Sequence, residues 1–309
     1  MYYRDINYTM LGGNKNMEYI IPKSADSALG ALLSANGNGC IIAGGTDVMI
    51  EIEEGKRSPK KLIDIMNIAE LKTIAINANT LVIGASVTLT EIVQSDLVKK
   101  YFPSLAKACS SIGSLQIQNT ATLVGNVVTG QPAADGAMAL AVLNPTFTVI
   151  NKTGKRYIKI SEMYSGFGKS IIDNSREIVT EVSIPLPKTG ETAAFYRLVM
   201  RENLSLPMLN AAAMVKVEND KFVWARITMG PVGVGPVRAV EAENWLVDKE
   251  VTIENLKEAG KISLENAKPR SNPLRGSKEY REKTLPVIVR RVLADAVSQL
   301  GLLTEEVQI

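Results

Sequence analysis

The run Cys40 to Ala43 reads as a short buried strand, and it ends against Gly44 and Gly45, with Thr46 and Asp47 following before apolar residues resume at Val48. A strand that stops in this way calls for a backbone with few side chains. Two readings account for it. The glycines satisfy a turn at positive φ, where a Cβ is strained. Alternatively, the Gly-Gly-Thr-Asp stretch presents successive backbone N–H groups with nothing in front of them, which suits a phosphate oxygen. The familiar nucleotide signatures are not met: the third glycine of the dinucleotide fingerprint is missing, and so is the Gly-Lys-Ser/Thr of the P-loop. A different cradle is therefore expected. A second stretch, "TLVGNVVTGQPAAD" (122 to 135), offers the same mixture of hydroxyl, amide and bare backbone at Thr122, Gly125 and Asn126. Asp135 at its end can accept hydrogen bonds from a hydroxyl-bearing ligand, or it can cap the apolar helix that follows.

The chemistry open to these loops is narrowed by the histidine count, which is zero in 309 residues. A Ser-His or Cys-His pair and an imidazole-ligated metal are excluded. The two cysteines, Cys40 and Cys109, cannot hold a four-thiolate iron–sulfur cluster; they read as two reduced thiols, one in a strand and one in a helix. Any catalysis points to a bound organic cofactor. With 35 basic against 32 acidic side chains and no segment concentrating one sign, no nucleic-acid surface is expected. No stretch approaches the 18 continuous apolar residues of a membrane helix, and the first residues lack the basic and then apolar regions of a secretory signal. The expectation is a cytoplasmic protein, with residues 1–16 a polar extension and Met17 an alternative start.

Along the chain, "SADSALGALLSANG" (24 to 37) carries a helix start, helical apolar spacing and a glycine stop. The segments 60 to 68 and 80 to 92 are rich in β-branched residues, and the second ends in a helix-capping Thr-Leu-Thr-Glu. Residues 97 to 113 read as one helix, 114 to 150 as a polar, glycine-punctuated stretch running into an apolar segment and a strand, and 176 to 187 as a strand ending in Pro. "KTGET" (188 to 192) has the composition of a linker and sets the domain boundary. Beyond it come two or three strands around an Asn-Asp turn. The tail then spaces Leu285, Val289, Val292, Leu293, Ala296 and Leu300 along one face of a helix, with Arg290 and Arg291 outside.

The pair "IIAGGTDV" and "IGSLQIQNTATLVGN…PAAD", in that order and about 70 residues apart, resembles the FAD-binding subunit of molybdenum hydroxylases, the relatives of xanthine, carbon monoxide and nicotinate dehydrogenases. The likeness continues through "AFYRLVMRENLSLPMLNAAA" and "RGSKEYREKTLPVIVRR", so it covers nearly the whole chain from Met17. It implies an α+β chain: a two-subdomain FAD-binding fold of the p-cresol methylhydroxylase type over 17–190, then a small domain of antiparallel sheet and helices over 191–309. It further implies that Ile41, Ile42, Ala43, Gly44, Gly45, Thr46, Asp47 and Val48, with Thr122, Leu123, Val124, Gly125 and Asn126, wrap the FAD diphosphate. By the same likeness Gly113 lines the channel, Asp135 holds a ribityl or ribose hydroxyl, Val179 gives a main-chain contact and Arg197 lies near the flavin. The FAD is expected to be non-covalent. The molybdenum cofactor and two [2Fe–2S] clusters are expected in a large and a small partner subunit, the whole a dimer of heterotrimers passing electrons to NAD or another acceptor.

Three residues depart from the family pattern. Val124 stands where a second glycine is common, Gln118 where an arginine is usual, and Arg197 where lysine is frequent. Val124 motivates an alternative, a flavin-free scaffold subunit; a free-standing FAD-linked oxidase is a third reading. A flavin subunit with an extra [4Fe–4S] cluster, of the benzoyl-CoA reductase kind, is disfavoured by the shortage of cysteines.

Overall fold

The computed structural model describes residues 17–202, 204–273 and 275–303; the extension expected at 1–16 lies outside them. It opens with a small parallel sheet in which Lys61–Asp64 is flanked by Glu18–Ile20 and Gly39–Ile42. Parallel neighbours need crossovers. The helix Ala25–Ser34 supplies one, started by a reciprocal cap between Ser24 and Ser27. The helix Val48–Glu53 lies on the other, directly after the paired glycines.

A five-stranded antiparallel sheet follows, in the order Ile74–Asn77, Thr80–Gly84, Ile178–Pro185, Thr146–Asn151, Gly154–Lys159. Between its second strand and the strand at 146 the chain makes an excursion through short helices, ending with Leu123–Val128 and the wholly buried Asp135–Val142. The single helix expected over 97 to 113 is instead two, Asp96–Tyr101 and Pro103–Ser110. Pro103 fixes its own φ and lacks an N–H, so the first helix stops and the second begins with proline in its first turn. About half of the glycine-punctuated stretch is helical, in Leu115–Gln118 and Leu123–Val128, which its composition hides.

The last sheet is an antiparallel meander of Glu191–Leu198, Leu209–Glu218, Lys221–Gly230 and Val237–Arg238. The helix Lys278–Ser298 lies across it, burying Leu285, Val289, Val292, Leu293 and Ala296 as their spacing predicts. The strand Leu209–Glu218 is covered on both faces. Ala211, Ala213 and Val215 belong to the core under that helix, whereas Ala212 and Met214 join the core of the preceding unit, alongside Met138 of the Asp135–Val142 helix. Both faces of one strand thus hold the two halves of the chain together, and Thr228 Oγ1 donates to the Met138 carbonyl oxygen across the seam at 3.0 Å.

Candidate functional site

The two glycine loops touch. A Cβ placed on Gly44 would lie 2.0 Å from the Thr120 carbonyl oxygen and 2.8 Å from Ala121 Cα. Gly44 therefore answers first to the contact between the loops, and only through that contact to any ligand. Gly45 answers to backbone conformation, at φ +72°. Together the loops close part of a cleft of about 720 Å³, within the range of small-molecule and cofactor sites.

Of the residues expected at a site, Ile41, Ala43, Gly44, Gly45, Thr46, Asp47 and Val48 line this cleft, together with Gly113, Thr122, Val124, Gly125, Asn126, Asp135, Val179 and Arg197. Ile42 and Leu123 do not. Ile42 alternates to the opposite face of its strand and packs with Cys40 and Leu62, while Leu123 is fully buried in the main core. Among the described residues, the backbone N–H groups of Gly44, Gly45, Thr46 and Asp47 find no protein acceptor, nor do those of Leu123 and Val124 in the first turn of their helix. Thr122 Oγ1 accepts from Gly125 N at 3.0 Å, so that hydroxyl caps the helix.

The departures have local explanations. The side chain of Val124 is 4% exposed and sits in the main core, so it fills space behind the turn. Gln118 donates to the carbonyl oxygens of Ser110 (2.9 Å) and Ile112 (3.0 Å), tying down the turn that leads into Gly113. Asn126 also has internal work: its Oδ1 accepts from Ala137 N at 3.3 Å, over a bare Gly136.

Asp135 does not cap its helix, of which it is the first residue. Its carboxylate is buried where the Pro103–Ser110 and Asp135–Val142 helices meet the last sheet. Asn210 Nδ2 donates to Oδ1 at 2.7 Å, Arg197 Nε lies 3.5 Å from Oδ2, and Ser111 Oγ lies 3.5 Å from the same oxygen. Arg197 in turn donates through its Nη atoms to the carbonyl oxygens of Ser111 and Ser205. Burial pushes the Asp135 pKa up to about 6, against the pull of Arg197, Asn210 and Ser111. Sequence reasoning placed Asp135 and Arg197 at the cleft but not in contact with each other. It also missed Ser111, Lys169, Asn174 and Arg275, which line the cleft. Only Ser111, two residues before Gly113, had a local signal.

Two expectations follow. Gly44→Ala forces the loops apart and should lower the stability of the chain by about 3 kcal/mol or more. Gly45→Ala should cost about 1–2 kcal/mol for its positive φ and keep the fold, while Val124→Gly loses a packed side chain inside a helix and should cost about 2 kcal/mol or more. Urea midpoints for the three variants check the order; a Gly44→Ala chain with the parent midpoint would contradict the loop contact. The second concerns pH. The native Asp135 binds its proton more tightly than an unfolded aspartate of pKa about 3.9. Its contribution to stability therefore falls as pH rises from about 4 to about 6, by at most about 3 kcal/mol. Asp135→Asn should flatten that slope in denaturation curves of the ligand-free chain; an unchanged slope would show that another group titrates there.

Comparison with known proteins places this geometry. Residues 15–187 match the model described as the FAD binding domain in molybdopterin dehydrogenase, and residues 194–296 match the CO dehydrogenase flavoprotein C-terminal domain. The chain is 32% identical to the nicotinate dehydrogenase FAD-subunit of Eubacterium barkeri, over 93% of this chain and 98% of that protein. It is 28% identical to the xanthine dehydrogenase FAD-binding subunit of Escherichia coli O157:H7, over 87% and 92%. Among solved structures, a chain of reconstituted CO dehydrogenase from Oligotropha carboxidovorans superposes with a TM-score of 0.87 at 26% identity, covering 94% of this chain and 99% of that one. A chain of quinoline 2-oxidoreductase from Pseudomonas putida 86 gives 0.85 at 25% identity, covering 92% and 97%. With both domains matched in order, and more than half of its length under the first of them, the chain belongs to the FAD-binding subunits of the molybdenum hydroxylases.

Proposed function

We propose that this chain holds one non-covalent FAD and relays electrons through it, from the [2Fe–2S] clusters of a small partner subunit to NAD or another acceptor. In this reading a large subunit carries the molybdenum cofactor and the substrate, the complex is a dimer of heterotrimers in the cytoplasm, and the chain divides at 188–192 into an FAD-binding unit and a C-terminal domain. The observation that carries the reading is the row of N–H groups at Gly44 to Asp47 that lack a protein acceptor and line a cleft of about 720 Å³. A diphosphate fits these residues: they offer donors without side chains in front, beside the hydroxyl-capped turn at Thr122.

Bound flavin supplies two-electron exchange with a nicotinamide and one-electron exchange with iron–sulfur centres. The protein's own residues bind and orient. The loops at 43–48 and 122–126 hold the diphosphate, and Val179 offers main chain from the edge of a bulge that shifts the register between Val179 and Glu181. The guanidinium of Arg197, 12% exposed, favours negative charge on a ligand at its end of the cleft. No histidyl attachment is possible, and Cys40 and Cys109 are both buried, with the Cys109 thiol pushed far up by burial. The names of similar proteins range over nicotinate, xanthine and carbon monoxide, which supports a substrate held by the partner.

The scaffold reading loses its motive once Val124 is seen packed in the core. The oxidase reading needs a base facing the substrate, and the candidate Asp135 is already engaged by Asn210 and Arg197.

The purified chain should carry one FAD, released by acid. It should not oxidise nicotinate or xanthine, and it should pass electrons from NADH to a dye. Addition of the molybdenum and [2Fe–2S] subunits should restore flavin reduction by the substrate of the complex. Flavin bleaching by an organic substrate in the lone chain would overturn the relay reading in favour of the oxidase.

A further inference from the structure

A second cavity, of about 480 Å³, lies beside the cleft and shares Gln131, Gly168 and Arg275 with it. Its wall is cationic. Lys268, Arg270, Arg275 and Arg281 line it, no carboxylate does, and among the described residues none of the four forms an ion pair with an Asp or Glu.

Arg281 is the decisive member. It stands in the first turns of the Lys278–Ser298 helix and is 3% exposed. Nη1 donates to the Arg270 carbonyl oxygen at 2.6 Å and Nη2 to that of Pro231, but the buried Nε has no acceptor. A buried cation without a counter-charge costs several kcal/mol. Burial, with the nearby guanidiniums of Arg275 and Arg270 adding to it, pushes the Arg281 pKa down. Arg270 sits over the ring of Phe167, its Cζ 4.1 Å from the centroid, a cation–π contact at the cavity wall. Such a wall suits a multiply charged anion that can accept several forked N–H donors at once. A phosphoryl group does this better than a single carboxylate, which carries one negative charge where an ionised phosphate monoester carries about two.

We propose that this cavity is a phosphoryl-binding site, in which a phosphate ester or diphosphate is held by Arg270 and Arg281 with Lys268 and Arg275 around it. The site goes beyond the FAD reading and does not depend on it. Its place beside the flavin cleft allows two sources of the same chemistry: the diphosphate of a nicotinamide dinucleotide approaching the flavin, or a separate phosphorylated compound.

The probe is inorganic pyrophosphate, titrated calorimetrically at low ionic strength into the FAD-loaded full chain, with flavin content measured separately by absorbance. The test variant is Lys268→Gln/Arg270→Gln, whose residues line the second cavity and not the cleft. Pyrophosphate should bind the parent and bind the variant about tenfold or more weakly, one charge-assisted hydrogen bond being worth about that much, with flavin content unchanged. Arg281→Lys, which keeps the charge and loses the fork, should weaken binding as well. Absence of binding to the parent, or equal binding to parent and double variant, overturns the proposal. Where pyrophosphate competes with NADH in dye reduction, and the double variant raises the KM for NADH with kcat unchanged, the source is the dinucleotide. Where pyrophosphate binds and NADH kinetics do not move, the ligand is a separate phosphorylated compound.

Discussion

The approach of one backbone to another at Gly44 is the constraint on which the cleft depends. Thr120 and Ala121 occupy the space a side chain would need, so the loop that ends the Gly39–Ile42 strand and the turn that starts the Leu123–Val128 helix are held as one surface. The loops come from different layers of the fold, one from the small parallel sheet and one from the helical excursion inserted in the antiparallel sheet. Their contact converts two weak donor sets into a continuous one. Separate rows of N–H groups in flexible loops would pay an ordering cost on binding; rows locked together by backbone contact have already paid it.

The far wall of the cleft is set by another contact between units. Asp135 begins a helix buried along its whole length, and its partners Arg197 and Asn210 stand on adjacent strands of the last sheet. Burial of the carboxylate is costly, and its partners offset that cost only in part, so its pKa stays raised, at about 6. The same three side chains therefore tie the C-terminal sheet to the Asp135–Val142 helix, and two of them, Asp135 and Arg197, line the cleft. A change in one of them alters domain packing and site chemistry together, which makes flavin content a better readout of this cluster than stability alone.

Legibility from sequence followed the range of the interactions. The Ala25–Ser34 helix, the Thr88 cap and the buried stripe of Lys278–Ser298 rest on contacts within a few residues, and their signals are local. The paired glycines marked one wall of the cleft, yet the reason for Gly44 lies 76 positions away in Thr120, where no spacing rule reaches. Val124 looked like an obstruction because its side chain has no direction in a sequence; the helix turns it into the core. Alternation in the strand Leu209–Glu218 suggests one buried face, whereas Ala212 and Met214 are covered as fully as Ala211 and Ala213 because a second unit packs there. Lys169, in a hairpin of two short strands, and Arg275, in an irregular turn, reach the cleft through tertiary placement alone.

The distribution of titratable groups around the cleft argues for electron rather than proton chemistry. Glu177 lines it, but Arg156 and Asn151 engage its carboxylate and help hold its pKa below the usual range. Glu51 is paired with Arg57. Asp47, whose pKa burial and the nearby Glu51 raise, stands in the glycine loop at the start of the Val48–Glu53 helix, not at the Arg197 end. That leaves Asp135, the one carboxyl lining the cleft whose pKa is placed at about 6, and its oxygens face Asn210 and Arg197. A general base must reach the proton it abstracts. With histidine absent from the chain and Glu51, Glu177 and Asp135 each engaged by a neighbouring side chain, none of these three carboxylates is free to take a proton from carbon. The cleft is thus equipped to grip and polarise a bound cofactor rather than to move a proton.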